Sequence, residues 1–256
     1  MTDAIIYLED VTVSYDGFKA LQRLNFYMDR RELRVVIGPN GAGKTTLLDV
    51  ISGRVKPEHG RVIFGHNTDL TALSENQIAA LGIGRKFQTP SVFVNLTVWE
   101  NVELSLRRPS KGVLATLTHR DGAEARDRIA ATLDSVGLGA KGQALAGALS
   151  HGEKQWLEIG MVMAQDPELL LVDEPVAGLT DEETARTGDL LLSIAAERSV
   201  LVIEHDMEFV RQIARTVTVL HQGTVLCEGP VEQMQRDPRV LEVYLGQRKH
   251  TADAVR

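Results

Sequence analysis

Residues 38–46 read GPNGAGKTT, and no other stretch limits the fold as tightly. The pattern G-x-x-x-x-G-K-[ST] needs a strand leading in and a helix leading out. Its glycines let backbone N–H groups converge on an anion, and the helix start adds a positive field. Both flanks are present: "RELRVVIG" runs into the loop as a strand, and "KTTLLDVISG" leaves it at helical spacing, closed by Gly53. Gly38, Pro39, Asn40, Gly41, Ala42, Gly43, Lys44, Thr45 and Thr46 are therefore a candidate phosphate cradle. Lys44 would reach the β- and γ-phosphates of a nucleotide, and the Thr45 hydroxyl would ligate Mg2+. A plain Gly-rich turn with a lysine after it would match by chance in about one chain in a hundred of this size.

The rest of the chain supplies the sheet that such a loop requires. "IIYLEDVTVSY" and "ALQRLNFYM" alternate apolar and polar residues around Asp16-Gly17, which predicts strands joined by a turn. After the loop come a short strand "RVIFG", a helix opened by a Ser74/Gln77 capping box, and a strand "IGRKFQ". From Thr89 to about Ala164 the spacing becomes helical in "LTVWENVELSL", "AEARDRIAATLDSVGL" and "GEKQWLEIGMVMAQ". The loop "RRPSKGVLATLTHRDG" between them is basic and turn-rich, with no task that can be assigned. Strand and helix then alternate again through "ELLLVDEP", Asp181 to about Ala196, "SVLVIEH" and "DMEFVRQIA", ending in the hairpin-like "TVTVLHQGTVLCEG". The expectation is an α/β fold with a largely parallel sheet. Residues 1–88 and 165–246 would form the core, 89–164 an inserted helical subdomain, and 247–256 a frayed tail.

"LLLVDEP" places two carboxylates at the end of a fully apolar strand. Asp173 can hold Mg2+ through water, and Glu174 can polarise an attacking water. Two exposed carboxylates in a strand-to-helix turn are the bland alternative. His205 ends "VLVIE", where open α/β sheets place their ligands, although a lone histidine is more often structural. Gln88 also ends a strand, and its amide could reach metal or water. Tyr15 could stack on adenine, a contact of roughly 1–3 kcal/mol per base, or simply pack on its sheet. Ser150 and Glu153 in "LSHGEKQ" form another capping box, which alone says only that a helix begins.

Composition removes other classes. A formal charge of −7 argues against a general nucleic-acid binder. Cys227 is the only cysteine, so there is no disulfide framework. The start MTDAIIYLED lacks the basic and long apolar regions of a signal peptide, and no apolar run reaches the length of a membrane span. The expected place is the cytoplasm, with any spanning part provided by another chain.

The series Tyr15, "GPNGAGKTT", Gln88, "LSHGE", "LLLVDEP", "AGLT", His205 resembles the nucleotide-binding subunits of ABC transporters over nearly the whole chain. The resemblance implies a P-loop NTPase (RecA-like) core with an N-terminal antiparallel β subdomain and an inserted helical subdomain. It implies a head-to-tail dimer with two ATPs between subunits. Ser150, His151, Gly152 and Glu153 would form the signature facing the nucleotide held by a second ABC ATPase subunit, of the same or a related chain. Glu174, His205 and Gln88 would be catalytic, and Thr45, Gln88 and Asp173 would hold Mg2+. Polytopic membrane permease subunits would be direct partners, and a periplasmic or extracellular solute-binding protein an indirect one. The chain would sit peripherally on the cytoplasmic face of the inner membrane.

"EPVAGLT", "IEHDMEFV" and "EGPVEQMQRDPRVLEVYLG" resemble the ATPases of branched-chain amino acid and urea importers, and "FQTPSVFVNLTVWENVEL" resembles the urea importer's subunit. Three departures stand out. His151 replaces a glycine of the signature, Glu153 its glutamine, and Thr180 an aspartate that joins the two sites in many members. Two rivals are a lipid-export ATPase, which shares this compact architecture, and a soluble ABC-type ATPase acting on DNA or ribosomes. The second usually carries a coiled-coil insertion or a fused second unit, and neither is visible here.

Overall fold

The computed structural model describes residues 3–87, 91–106 and 122–243. Gln88, most of the basic loop 107–122 and the tail 247–256 lie outside the described residues.

Two sheets are present. β1 (Ala4–Tyr15) and β2 (Phe18–Asp29) pair antiparallel, β4 (His59–Phe64) lies on the other side of β1, and the two-residue β5 (Thr68–Asp69) completes a four-stranded sheet in the order β2-β1-β4-β5. The second sheet runs β10-β9-β3-β8-β7-β6. Here β3 (Leu33–Ile37), β6 (Ile83–Lys86), β7 (Leu169–Asp173), β8 (Ser199–Ile203) and β9 (Thr216–His221) are parallel, while β10 (Thr224–Gly229) returns antiparallel to β9 as the hairpin pattern predicts. α/β with one antiparallel and one mainly parallel sheet is the fold class expected from the sequence.

The apolar runs "LLLV" and "VLVI" lack strand alternation because both their faces are covered. Leu170, Val172, Val200 and Val202 pack into one core, and Leu169, Leu171, Leu201 and Ile203 into the other. The second core is closed by the antiparallel sheet and by α1 (Lys44–Ile51) and α2 (Glu75–Ala80). The first is closed by α3 (Val98–Ser105), α4 (Ala123–Ser135), α5 (His151–Met163), α6 (Asp181–Ala195) and α7 (Met207–Ile213), with α8 (Val231–Met234) at its edge.

Capping boxes open four of these helices, α2 through Ser74 and Gln77 as the sequence predicts. Thr97, Ser150 and Thr180 each accept from the backbone N–H three residues on, and Glu100, Glu153 and Glu183 reach back. α5 is fastened to α6 by Trp156, whose indole N–H donates to Thr187 Oγ1 at 2.9 Å while the Arg186 guanidinium lies 4.1 Å from the ring centroid.

Candidate functional site

β3, β8 and β7 end side by side, with Asp173 opposite Ile203, so the segments leaving these strands gather along one edge. After β3 the chain enters the 38–46 loop. Gly38, Gly41 and Gly43 have φ of 153°, 78° and 102°, values that side chains rarely adopt. Crowding adds to this: a Cβ on Gly38 would lie 2.3 Å from the Leu220 carbonyl oxygen, and one on Gly43 2.5 Å from that of Ala20. Lys44 is buried and donates to the carbonyls of Gly38 (2.7 Å) and Pro39 (3.1 Å), so its ammonium is folded over the loop. Burial lowers its pKa, opposed by Glu174, Asp173 and Glu204, which places those three carboxylates on the lysine's side of the sheet edge.

Asp173 is buried at 5% exposure, which removes the reading as an exposed turn carboxylate. Burial pushes its pKa up and Arg85 pulls it back from 3.9 Å. Arg85 is itself held by Asp49 (2.7 Å) and Ser52 Oγ (2.9 Å) of α1 and its end, tying β6 to the helix after the phosphate loop. Glu174 has φ of 44°, a left-handed conformation costing a non-glycine residue about 1 kcal/mol or more. Its N–H donates to the Ile203 carbonyl at 3.0 Å, which pins that conformation to the neighbouring strand. The pin aims Glu174 at His205, with Oε1 3.5 Å from Nδ1.

Glu204 sets the turn that presents His205. Its Oε2 accepts from the N–H groups of His205 (2.6 Å) and Asp206 (3.1 Å) and lies 3.3 Å from His205 Nδ1. Burial raises the pKa of Glu204, with those amides opposing. With Nδ1 turned to two carboxylates, Nε2 is the ring nitrogen left for an incoming group.

Lys86, fully buried at the end of β6, faces Glu158, Asp173, Glu204 and Glu174, and its Nζ has no hydrogen-bond partner among the described residues. Burial lowers its pKa. Glu158 on α5 accepts from Ser91 N at 3.3 Å and from the Phe87 amide, and burial pushes its pKa to about 7 despite Lys86. A helix of the 89–164 region thus holds both described ends of the chain around Gln88.

The signature-like turn lies apart from the phosphate loop in sequence and opens α5. Ser150 Oγ accepts from Glu153 N at 3.1 Å, and Glu153 accepts from Ser150 N at 3.1 Å. Burial raises the pKa of Glu153, but Lys141 at 2.5 Å and the Ser150 amide outweigh it, so the net direction is down. Tyr15 ends β1 with 44% of its surface exposed, free to meet a flat ligand.

Sequence reasoning passed over Arg85, Lys86, Glu158 and Glu204, and read Glu183 only as the capping partner of Thr180, which it is. The signal for three of them was visible: "GRK" and "VIEH" put charges inside or beside strands that are otherwise apolar. Glu158, and the contact of Glu183 with Ser150, have no such mark, because only tertiary packing brings those partners together.

The family profile described as ABC transporter matches residues 21–177, and a second, branched-chain amino acid ATP-binding cassette transporter, matches 224–250. The high-affinity branched-chain amino acid transport ATP-binding protein LivG of Escherichia coli K12 is 34% identical, covering 96% of this chain and 100% of that protein. The chain belongs to the ABC transporter ATP-binding family. The ADP conformation of MJ1267, an ATP-binding cassette of an ABC transporter, is 29% identical with a TM-score of 0.84, over 96% of this chain and 100% of that one. A dimeric post-hydrolysis state of the cassette MJ0796, bound to ADP and Pi, is 27% identical with a TM-score of 0.76, over 88% and 98%. An ABC cassette of this kind is an ATPase, and its nucleotide is ATP. Among the described residues no helix is long and apolar enough to cross a membrane.

Proposed function

We propose that this ABC ATPase is the motor of an importer for a small polar solute, acting as one of two subunits that sandwich two ATPs. The observation that carries the reading is the convergence, on one sheet edge, of Lys44, Asp173, Glu174 and His205. Glu174 stands as the general base that polarises the attacking water, and His205 is oriented by Glu174 and Glu204 to meet the γ-phosphate. The P-loop amides and Lys44 hold the triphosphate, and Tyr15 takes the adenine. Ser150, His151, Gly152 and Glu153 present the start of α5 to the nucleotide of the other subunit.

Mg2+ fits the donors: a threonine hydroxyl on the first turn of α1 and a buried carboxylate ending β7 are hard oxygen ligands. Thr45 and Asp173 would hold it, with the Gln88 amide as a further ligand, and it would offset charge on the phosphates. Residues 89–164 would move as a helical subdomain against the core. Phe93 and Val94, about half exposed beside that join, suit cytoplasmic helices of a permease. The chain then sits peripherally at the cytoplasmic face of the membrane, fed from outside by a solute-binding protein.

LivG's similarity and the 224–250 match support branched-chain amino acids as the solute class. The segment "FQTPSVFVNLTVWENVEL" favours urea within that group. Replacing Glu174 with Gln is expected to keep ATP binding and cut turnover roughly 100- to 10,000-fold, the usual share of a general base. Wild-type turnover by that variant would overturn the assignment. Stimulation of the reconstituted transporter's ATPase by urea-loaded binding protein, with none by the leucine-loaded one, identifies urea; the reverse identifies the amino acid.

A further inference from the structure

Ser150, His151 and Gly152 each touch one stretch of their own chain, residues 177–183. The Ser150 hydroxyl donates to Glu183 Oε1 at 3.2 Å. His151 Nε2 lies 3.3 Å from the Ala177 carbonyl oxygen, and a Cβ on Gly178 would come 3.7 Å from the same ring nitrogen. A Cβ on Gly152 would fall 2.4 Å from Glu183 Oε1, so the carboxylate rests directly against the helix backbone.

Helix capping does not explain all of this. Capping at Thr180 uses one oxygen of Glu183: Oε2 accepts from Thr180 N and Thr180 Oγ1, both at 3.1 Å. The other oxygen is spent on Ser150, outside α6. The His151 contact is unrelated to capping, since α5 already has its box through Ser150 and Glu153. At the far end of the same stretch, Ala177 N–H donates to the Glu174 carbonyl at 3.4 Å. One set of contacts therefore runs from the signature turn through Ala177 to the backbone of the catalytic carboxylate.

The geometry points to His151 and Glu183 as positioning residues that couple the signature turn to the catalytic turn of the same chain. This rests on the sandwich reading above. A γ-phosphate delivered by the other subunit competes with Glu183 for the Ser150 hydroxyl and Gly152. Displacing that carboxylate loosens its hold on Thr180, and movement of the turn carries the His151 ring and with it Ala177 and Glu174. Nucleotide held by one subunit thereby sets the geometry of the general base in the other. The departures at 151 and 180 belong to one joint: an imidazole supplies a tie that a glycine cannot, and Thr180 shares its carboxylate with Ser150.

The test uses the full chain with His151→Ala, Glu183→Ala and Glu183→Gln, each also combined with Glu174→Gln. ATP affinity of the single chain is measured beside kcat, KM, the Hill coefficient for ATP, and Tm. His151→Ala and Glu183→Ala are expected to bind ATP on the P-loop within about twofold of the parent. Their kcat is expected to fall at least fivefold with KM little changed, and the Hill coefficient to approach 1. Glu183→Gln keeps an amide oxygen to accept from Thr180 and places an NH2 that can donate to the Ser150 hydroxyl oxygen, and at least half of the parental kcat and cooperativity are expected to return. Parental kcat and Hill coefficient in both alanine variants, with Glu174→Gln chains still dimerising on ATP, would overturn the coupling and leave the sandwich standing. A kcat loss that only tracks a fall in Tm, without rescue by glutamine, would also overturn it. Failure of Glu174→Gln chains to dimerise at all would remove the sandwich and the coupling together.

Discussion

The phosphate loop and the signature turn are both glycine-bearing helix starts, yet the chain builds them in opposite ways. The loop is closed by its own backbone: Lys44 folds onto Gly38 and Pro39, and Gly38 and Gly43 press against the carbonyls of Leu220 and Ala20. The turn is held by side chains that another group can displace, through Glu183 on Ser150 and His151 on Ala177. A backbone cradle between strand and helix serves a ligand that its own chain keeps. A side-chain latch suits the ligand that the proposed sandwich would bring from outside and release again.

Lys44→Ala separates the two regions most sharply. Charge-assisted hydrogen bonds of about 1.5–3 kcal/mol would be lost, so ATP affinity should fall roughly 10- to 150-fold. Turnover should vanish, while the signature turn keeps its fold. A titration of a fluorescent ATP analogue checks this, and binding within threefold of the parent would erase the distinction.

Gly152→Val attacks the other side. Its Cβ meets the flexible end of Glu183 rather than backbone, so the helix should survive with the carboxylate pushed aside. Turnover should drop roughly 100-fold, the scale of losing a preorganised donor to phosphate, with single-chain ATP binding intact. Weakened binding to the isolated chain would mean that the turn serves the chain's own nucleotide.

Glu158→Gln probes the tie between α5 and the ends of the Gln88 segment by pH. With a folded-state pKa of about 7 against an ordinary 4.5, the native protein holds a proton there that the unfolded chain has released. That contribution to stability is complete below about pH 4.5 and fades as pH rises through 7. The parent should therefore lose Tm relative to Glu158→Gln between those values. Equal pH dependence of the two proteins in thermal melts would show that Glu158 is not held neutral.

Lys141→Ala is expected to do least. Its pair with Glu153 has a half-exposed lysine, a kind usually contributing about 0.2–1 kcal/mol. Turnover should change by no more than about fivefold, falling because an unneutralised Glu153 would face incoming phosphate. An increase in turnover would show that Glu153 is not a liability there.

The same contrast explains what could be read before the structure was known. GPNGAGKTT declares its strand, loop and helix within nine residues, because every requirement there is local. "LLLVD" and "SVLVI" announce buried parallel strands by composition, and capping boxes mark Ser74, Thr97, Ser150 and Thr180 at four helix starts. β5, with two residues, is too short to show a period. The left-handed φ of Glu174 has no sequence signature, since its support comes from Ile203 on another strand. Arg85 bound to Asp49, and Glu183 bound to Ser150, span 36 and 33 residues, where spacing carries no information. The signature turn was legible only through the order of motifs around it, as the proposed sandwich, with its ligand on another chain, would require.

The most direct test of that reading is the mass in solution of Glu174→Gln, with and without ATP, beside Glu174→Gln/Gly152→Val. Light scattering should give the 28.1 kDa monomer without nucleotide and twice that mass with ATP for the single variant. The double variant should stay monomeric while still binding ATP. A monomeric Glu174→Gln chain saturated with ATP, or a double variant that dimerises as readily, would contradict it.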